Sequence, residues 1–155
     1  MIDATDRAIL TILQDDCRTP YAAIGERVGL STSAVNERLK KLQQRGVLRR
    51  CAGVVEPRRA GIDVCAFIHV LLDRPDRDAA FIDGIQALPA VQEAHHVTGP
   101  YSYLLKARVR DTARLEALLA RIKALPGVSR TETQIALSSP KETAALDFSA
   151  DGGEG

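Results

Sequence analysis

The sequence predicts an α+β protein in two parts, an N-terminal winged helix-turn-helix domain followed by a βαββαβ domain. Three observations lead there. Two short helical patterns meet at Gly29-Leu30, and a run of cations follows the second. From Asp63 onward the apolar pattern alternates strand, helix, strand, strand, helix, strand. Both helices of that half end in nearly the same phrase, Ala-Leu-Pro-Ala-Val at 87–91 and Ala-Leu-Pro-Gly-Val at 124–128, a period of 37 residues. Two similar halves of this kind describe a ferredoxin-like fold.

Asp3 and Asp6 suit the positive end of a first helix, which carries Ile9, Leu10 and Leu13 inward and ends near Asp16. A second helix is expected to start with Thr19 as cap and Pro20 in the first turn. It buries Ile24 and Val28, with Ala23 and Gly25 small enough for close helix approach, and stops at Gly29 in a left-handed cap. Ser31 then caps a third helix with Val35, Leu39 and Leu42 inward.

The outward face of that helix holds Thr32, Ser33, Asn36, Glu37, Lys40 and Lys41, while Arg38, a further candidate for reading DNA, is partly turned toward the domain, where it can anchor instead. Short polar side chains near a helix N-terminus can reach base edges in a major groove, and lysines further along can meet phosphates. An isolated helix of this composition is usually just a solvated face. Two capped helices at this spacing, with cations on the second, favour a DNA-binding unit in which Ser31 joins the contacts. After Gly46, Val47–Cys51 and Val54–Glu56 are β-prone around Ala52-Gly53, which predicts a two-stranded wing. Arg49 and Arg50 on it are further DNA candidates, although neighbours on a flat ribbon face opposite ways.

Charge follows the same division. Residues 1–60 hold 11 Lys/Arg against 7 Asp/Glu, and residues 36–60 hold 8 cations against Glu37 and Glu56 alone. The remaining chain has 10 against 13. The electrostatic footprint for nucleic acid is therefore local. The expected domains are residues 1–56, a polar linker 57–62, the second domain 63–139, and an acidic tail 140–155 that is partly disordered.

These residues resemble the Lrp/AsnC (feast/famine) family of transcriptional regulators. Its characteristic pieces stand at Asp6, Ile9 and Leu10, at Val28 to Ser31, at Arg38, and at Gly46 to Leu48. The resemblance extends to about Ser139. It implies a C-terminal regulatory domain that dimerises through its sheets and often assembles into octamers. The strand Asp63–Asp73 points to a homodimer by itself, because Cys65, Phe67 and Leu71, broken by His69 alone, make its second face apolar while two helices cover only one side of a sheet.

The loop Thr98, Gly99, Pro100, Tyr101, Ser102, Tyr103 is the candidate for a small-molecule effector, against the plainer reading of a simple hairpin turn. In the family this loop carries a Gly-x-[Tyr/Phe]-Asp-Tyr-like motif lining an amino-acid site. Gly99, Tyr101 and Tyr103 match, but Ser102 stands where the acid would be, and a carboxylate is the natural partner of an α-ammonium group. An amino acid, another metabolite, or no effector all remain open at this point.

No nucleophile elbow, phosphate loop or carboxylate couple appears, so no enzyme, cofactor or metal is expected. His95 and His96 point to opposite faces of a strand and cannot chelate together, and His69 is on a strand that does not adjoin theirs. Cys17, Cys51 and Cys65 read as buried small hydrophobes, outside any disulfide framework or zinc site. A composition of 45% hydrophobic and 26% charged residues, with no spanning run and no signal peptide, predicts a cytoplasmic protein. The expected function is sequence-specific, effector-responsive regulation of transcription on double-stranded DNA. Its alternatives are an architectural nucleoid-type DNA-binding protein and a metabolite-binding module without DNA readout.

Overall fold

The computed structural model describes residues 2–149. The chain divides into two units. One runs to Val54 and takes back the chain from Glu142, and the other is Val55–Lys141.

In the first unit, α1 (Ala4–Asp15) opens on a reciprocal cap: Asp3 accepts from the Asp6 N–H at 2.7 Å, and Asp6 accepts from the Asp3 N–H at 3.3 Å. Helix α2 (Tyr21–Val28) starts one residue later than Thr19-Pro20 suggests. Pro20 is extended at φ −59°, ψ 142° and carries no side-chain cap, while the Thr19 hydroxyl donates back to the Asp16 carbonyl at 2.7 Å. Thr19 therefore closes the turn behind α1. Gly29 is left-handed at φ 71°, as its place demands. Gly25 has a different purpose from helix approach: a Cβ there would fall inside 3.0 Å of the Leu30 carbonyl oxygen. Its absence lets the turn fold back, and the Leu30 N–H reaches the Gly25 carbonyl at 2.9 Å.

Helix α3 (Thr32–Gln44) is capped by Ser31, whose hydroxyl accepts from the Ala34 N–H. Ile9, Leu10, Leu13, Ile24, Val35, Leu39 and Leu42 form one core, with Val28, Leu30 and Leu48 against it. The predicted wing does not form. No strand lies between Gly46 and Pro57, and Gly53 lacks the positive φ that a tight hairpin turn would take from it. The Val47 and Leu48 N–H groups instead close the end of α3 on the Leu42 carbonyl. Val54 and Val55 are left exposed.

The tail is more than an idle extension over its described residues. The Gln14 side chain meets the Leu146 backbone at both ends, accepting from its N–H at 2.7 Å and donating to its carbonyl at 3.0 Å. Phe148 packs against the helical core. The end of the tail, 150–155, lies outside the described residues.

The second unit is β1 (Val64–Leu72), α4 (Asp78–Gln86), β2 (Val91–His96), β3 (Tyr103–Val109), α5 (Thr112–Lys123) and β4 (Val128–Ile135). The strands are antiparallel in the order β2-β3-β1-β4, which is the ferredoxin-like arrangement. Ala66, Ile68, Val70, Leu105 and Ala107 face Phe81, Ile85, Leu115, Leu118 and Ile122 in one core. Ile82 of α4 is 40% exposed. Leu125, from the repeated phrase, packs against Gly84 of α4, where a Cβ would collide with it. The opposite sheet face is less apolar than β1 alone suggests. Phe67, His69 and Leu71 are half-buried there, but the register sets Lys106, Gln134, Glu132 and Arg130 beside them.

Candidate nucleic-acid interface and effector loop

The interface is built from the inside of α3 outward. Val35, Leu39 and Leu42 are at most 3% exposed and fix the helix roll, which turns Thr32, Ser33, Lys40 and Lys41 to solvent and leaves Asn36 half-buried. Ser31 and Ser33 share a hydroxyl contact at 3.0 Å, and Lys40 pairs with Glu37 at 3.2 Å. Among the described residues, the side chains of Thr32, Asn36 and Lys41 have no polar partner in the chain.

Arg38 is placed differently. Its guanidinium donates to Asp3 at 2.7 Å and Asp6 at 2.8 Å, so the arginine ties α3 to the capped start of α1. Those two carboxylates raise its pKa further, the Asp3 hydrogen bond first. The Asp3 carboxyl is held below the usual aspartate range, chiefly by the Asp6 N–H and then by Arg38. A guanidinium engaged in this way orients the helix that presents the readers. Arg49 and Arg50 are exposed, on irregular chain and not on a wing.

The effector loop joins edge strand β2 to central strand β3, and its residues separate onto different sides. Tyr103 is core: it is 5% exposed, its ring lies 4.8 Å from Phe81 and 4.9 Å from His96, and burial pushes its hydroxyl pKa up. Ser102 is a latch. Its hydroxyl accepts from the Leu72 N–H at 3.1 Å and its own N–H donates to the Val70 carbonyl at 2.9 Å. Thr98, Gly99 and Pro100 are exposed, with Gly99 at φ 116°.

Tyr101 turns to the other sheet face, where its hydroxyl donates to Glu132 of β4 at 2.6 Å. That bond is the main reason its pKa is raised. Its ring lies 5.1 Å from His69, and the Arg130 guanidinium sits 5.7 Å over it. Arg130 also borders an open hollow of about 380 Å³ with Lys123, Val128, Ser129 and Thr131. Sequence reasoning missed Arg130 and Glu132, because they come from a strand 30 residues downstream and only the β1–β4 register brings them to the loop.

His95 pairs with Glu93 at 3.2 Å while His96 stacks on Tyr103, one on each side of the sheet. Among the described residues, no group of three His, Cys, Asp or Glu is placed to hold a metal, and no helix is long and apolar enough to cross a membrane.

A helix-turn-helix with an outward polar helix, followed by a ferredoxin-like domain with a loop site, defines a two-domain DNA-binding transcriptional regulator. Residues 2–43 match the family model of the AsnC-type helix-turn-helix domain, and residues 65–146 match that of the Lrp/AsnC ligand binding domain. The regulatory protein AsnC of Haemophilus influenzae is 33% identical over 140 residues, covering 90% of this chain and 93% of its own. The leucine-responsive regulatory protein of Escherichia coli is 33% identical over 148 residues, covering 94% and 90%. Among solved structures, Escherichia coli AsnC superposes with a TM-score of 0.86 at 30% identity, covering 94% of this chain and 98% of that one. The Neisseria meningitidis regulator NMB0573, solved as a complex with L-Met, does so with 0.88 at 30%, covering 97% and 99%. The chain belongs to the Lrp/AsnC family of transcriptional regulators.

Proposed function

We propose that this chain is a cytoplasmic regulator that recognises particular duplex sequences through the N-terminal half of α3 and responds to an amino acid at the Tyr101 loop. The observation that carries the DNA reading is the state of the α3 surface. Thr32, Ser33 and Asn36 stand at the start of a helix locked by its core and by Arg38, with Lys40, Lys41, Arg49 and Arg50 supplying cations for the backbone. The domain limits proposed from the sequence are then read with one change, since the tail from Glu142 belongs with the helical unit.

The effector reading rests on Glu132. The acid that the loop lacks at Ser102 is supplied from β4, where Glu132 already reaches Tyr101 and stands near Arg130 at 3.9 Å. A carboxylate and a guanidinium beside an aromatic ring suit the ammonium and carboxylate of an α-amino acid. Thr98, Gly99 and Pro100 are exposed in the same loop, while Ser102 and Tyr103 hold the loop in place. The half-buried strip of Phe67, Leu71 and Leu104 supports pairing with a sister chain.

Fluorescence anisotropy with a duplex from the chain's own promoter region and with a scrambled duplex, across a salt series, tests the first part. The specific duplex binds at least about tenfold tighter, and Lys40→Ala/Lys41→Ala lowers the salt slope by about 1 to 2 for both duplexes. Equal affinity for the two duplexes favours an architectural role. A thermal-shift screen of the twenty amino acids tests the second part: a hit that disappears in Glu132→Gln supports the site, and a hit unchanged by that substitution removes Glu132 from it.

A further inference from the structure

Of the three cysteines expected to be buried, only Cys65 is, at 4% exposure. Cys17, in the turn between α1 and α2, is half-buried, and Cys51, five residues beyond Gly46, is exposed. They are 34 positions apart in sequence, yet the Cys51 Sγ lies 3.8 Å from the Cys17 carbonyl oxygen. The Cys17 thiol is also the leading cause, ahead of burial, of a raised Cys51 pKa. Nothing in the packing of the helical core requires either thiol, because neither belongs to that core.

We propose that Cys17 and Cys51 form a reversible disulfide that staples the segment carrying Arg49 and Arg50 to the turn between α1 and α2. The oxidant is a hydroperoxide. The exposed Cys51, as thiolate, attacks the peroxide oxygen, giving a sulfenic acid and, after protonation of the leaving group, water. The Cys17 thiol then attacks that sulfur, the S–S bond forms, and the sulfenic oxygen leaves as a second water. In sum, two thiols lose two electrons and two protons, and one hydrogen peroxide becomes two waters. A small thiol reverses the reaction by exchange. The raised Cys51 pKa keeps the thiolate scarce at neutral pH, so the pair answers to excess oxidant.

The full chain, treated with hydrogen peroxide and quenched, is expected to fall from three titratable thiols to one under denaturing conditions and to lose about 2 Da. Trypsin then yields residues 8–18 linked to residues 51–58, and dithiothreitol separates them. Cys17→Ser and Cys51→Ser each abolish the mass loss, while Cys65→Ser keeps it. Closing this loop raises the melting temperature of the helical unit by roughly 10 °C. Disulfide-linked dimers as the main product, a sulfinic acid on Cys51 with Cys17 still free, or unchanged thiols at tenfold excess peroxide would each overturn the proposal. A link to DNA binding rests on the function proposed above. Oxidation is expected to change DNA affinity at least threefold in the wild type and leave Cys51→Ser unchanged. Equal affinities for oxidised and reduced protein would refute that link alone, because the thiol and mass readouts do not depend on it.

Discussion

Gly25→Ala is the sharpest test of how the two helices of the DNA-binding unit are joined. A methyl at this position meets the carbonyl oxygen of Leu30, a backbone atom that cannot rotate away. Relieving it requires the Gly29-Leu30 turn to shift, an overpacking cost of about 1–3 kcal/mol. The shift also weakens the 2.9 Å bond from the Leu30 N–H to the Gly25 carbonyl, worth about 0.5–1.5 kcal/mol. Against this, alanine is favoured over glycine in a helix by about 1 kcal/mol. The net is a loss of about 1–3 kcal/mol, or on the order of 5–20 °C for a unit of this size. The chain has no tryptophan, so urea unfolding is best followed by circular dichroism at the helix band together with calorimetry. Gly29→Ala is the companion. Nothing lies within 4 Å of its added methyl, so it carries only the left-handed backbone cost of about 1 kcal/mol. A Gly25→Ala protein as stable as the wild type would refute the clash, and with it the account of why glycine stands there.

Other outcomes follow from the same contacts. Arg38→Gln should lower the melting temperature while leaving the salt slope of DNA binding unchanged; a reduced slope would make Arg38 a phosphate contact after all. Removing the chain after Lys141, or replacing Phe148 with alanine, should destabilise the helical unit by about 1–2 kcal/mol, given partial burial of that ring. Calorimetry would resolve this as a fall in that unit's transition with the other transition fixed. For Asp3, the carboxyl pKa is depressed on folding, so its contribution is present above the ordinary aspartate value of about 3.9 and is lost as pH falls below it. The gap in melting temperature between wild type and Asp3→Asn should therefore hold from neutral pH down to about pH 4 and narrow as the pH falls further, and a gap unchanged at low pH would contradict the cap and ion-pair account.

Much of the local structure was legible because it depends on neighbours in sequence. The Asp3 and Ser31 caps, the Gly29 turn and the inward stripe of α3 follow from helix periodicity and from the few residues that accept a left-handed or capping position. The repeat at 87–91 and 124–128 made the two halves of the second domain visible. The wing failed because β-prone composition between Gly46 and Pro57 does not itself provide a partner strand, and within one chain the end of α3 absorbs the first N–H groups. The tail was undervalued for the opposite reason, since Gln14 and Leu146 give no sign of each other until they touch.

The sequence by itself determined the family, the order of elements and the composition of the outward face of α3, all of which are properties of spacing and side-chain type. Tertiary structure alone decided which charges are spent and which are free. Helix spacing turns Arg38 partly toward the domain and leaves it either to anchor or to read, and only the approach of Asp3 and Asp6 engages it while Lys41 is left to solvent. Likewise, the loop lacks its acid in sequence, while the register of β4 against β1 returns one to Tyr101. Such assignments depend on distances between residues far apart in the chain, and no local pattern encodes those distances.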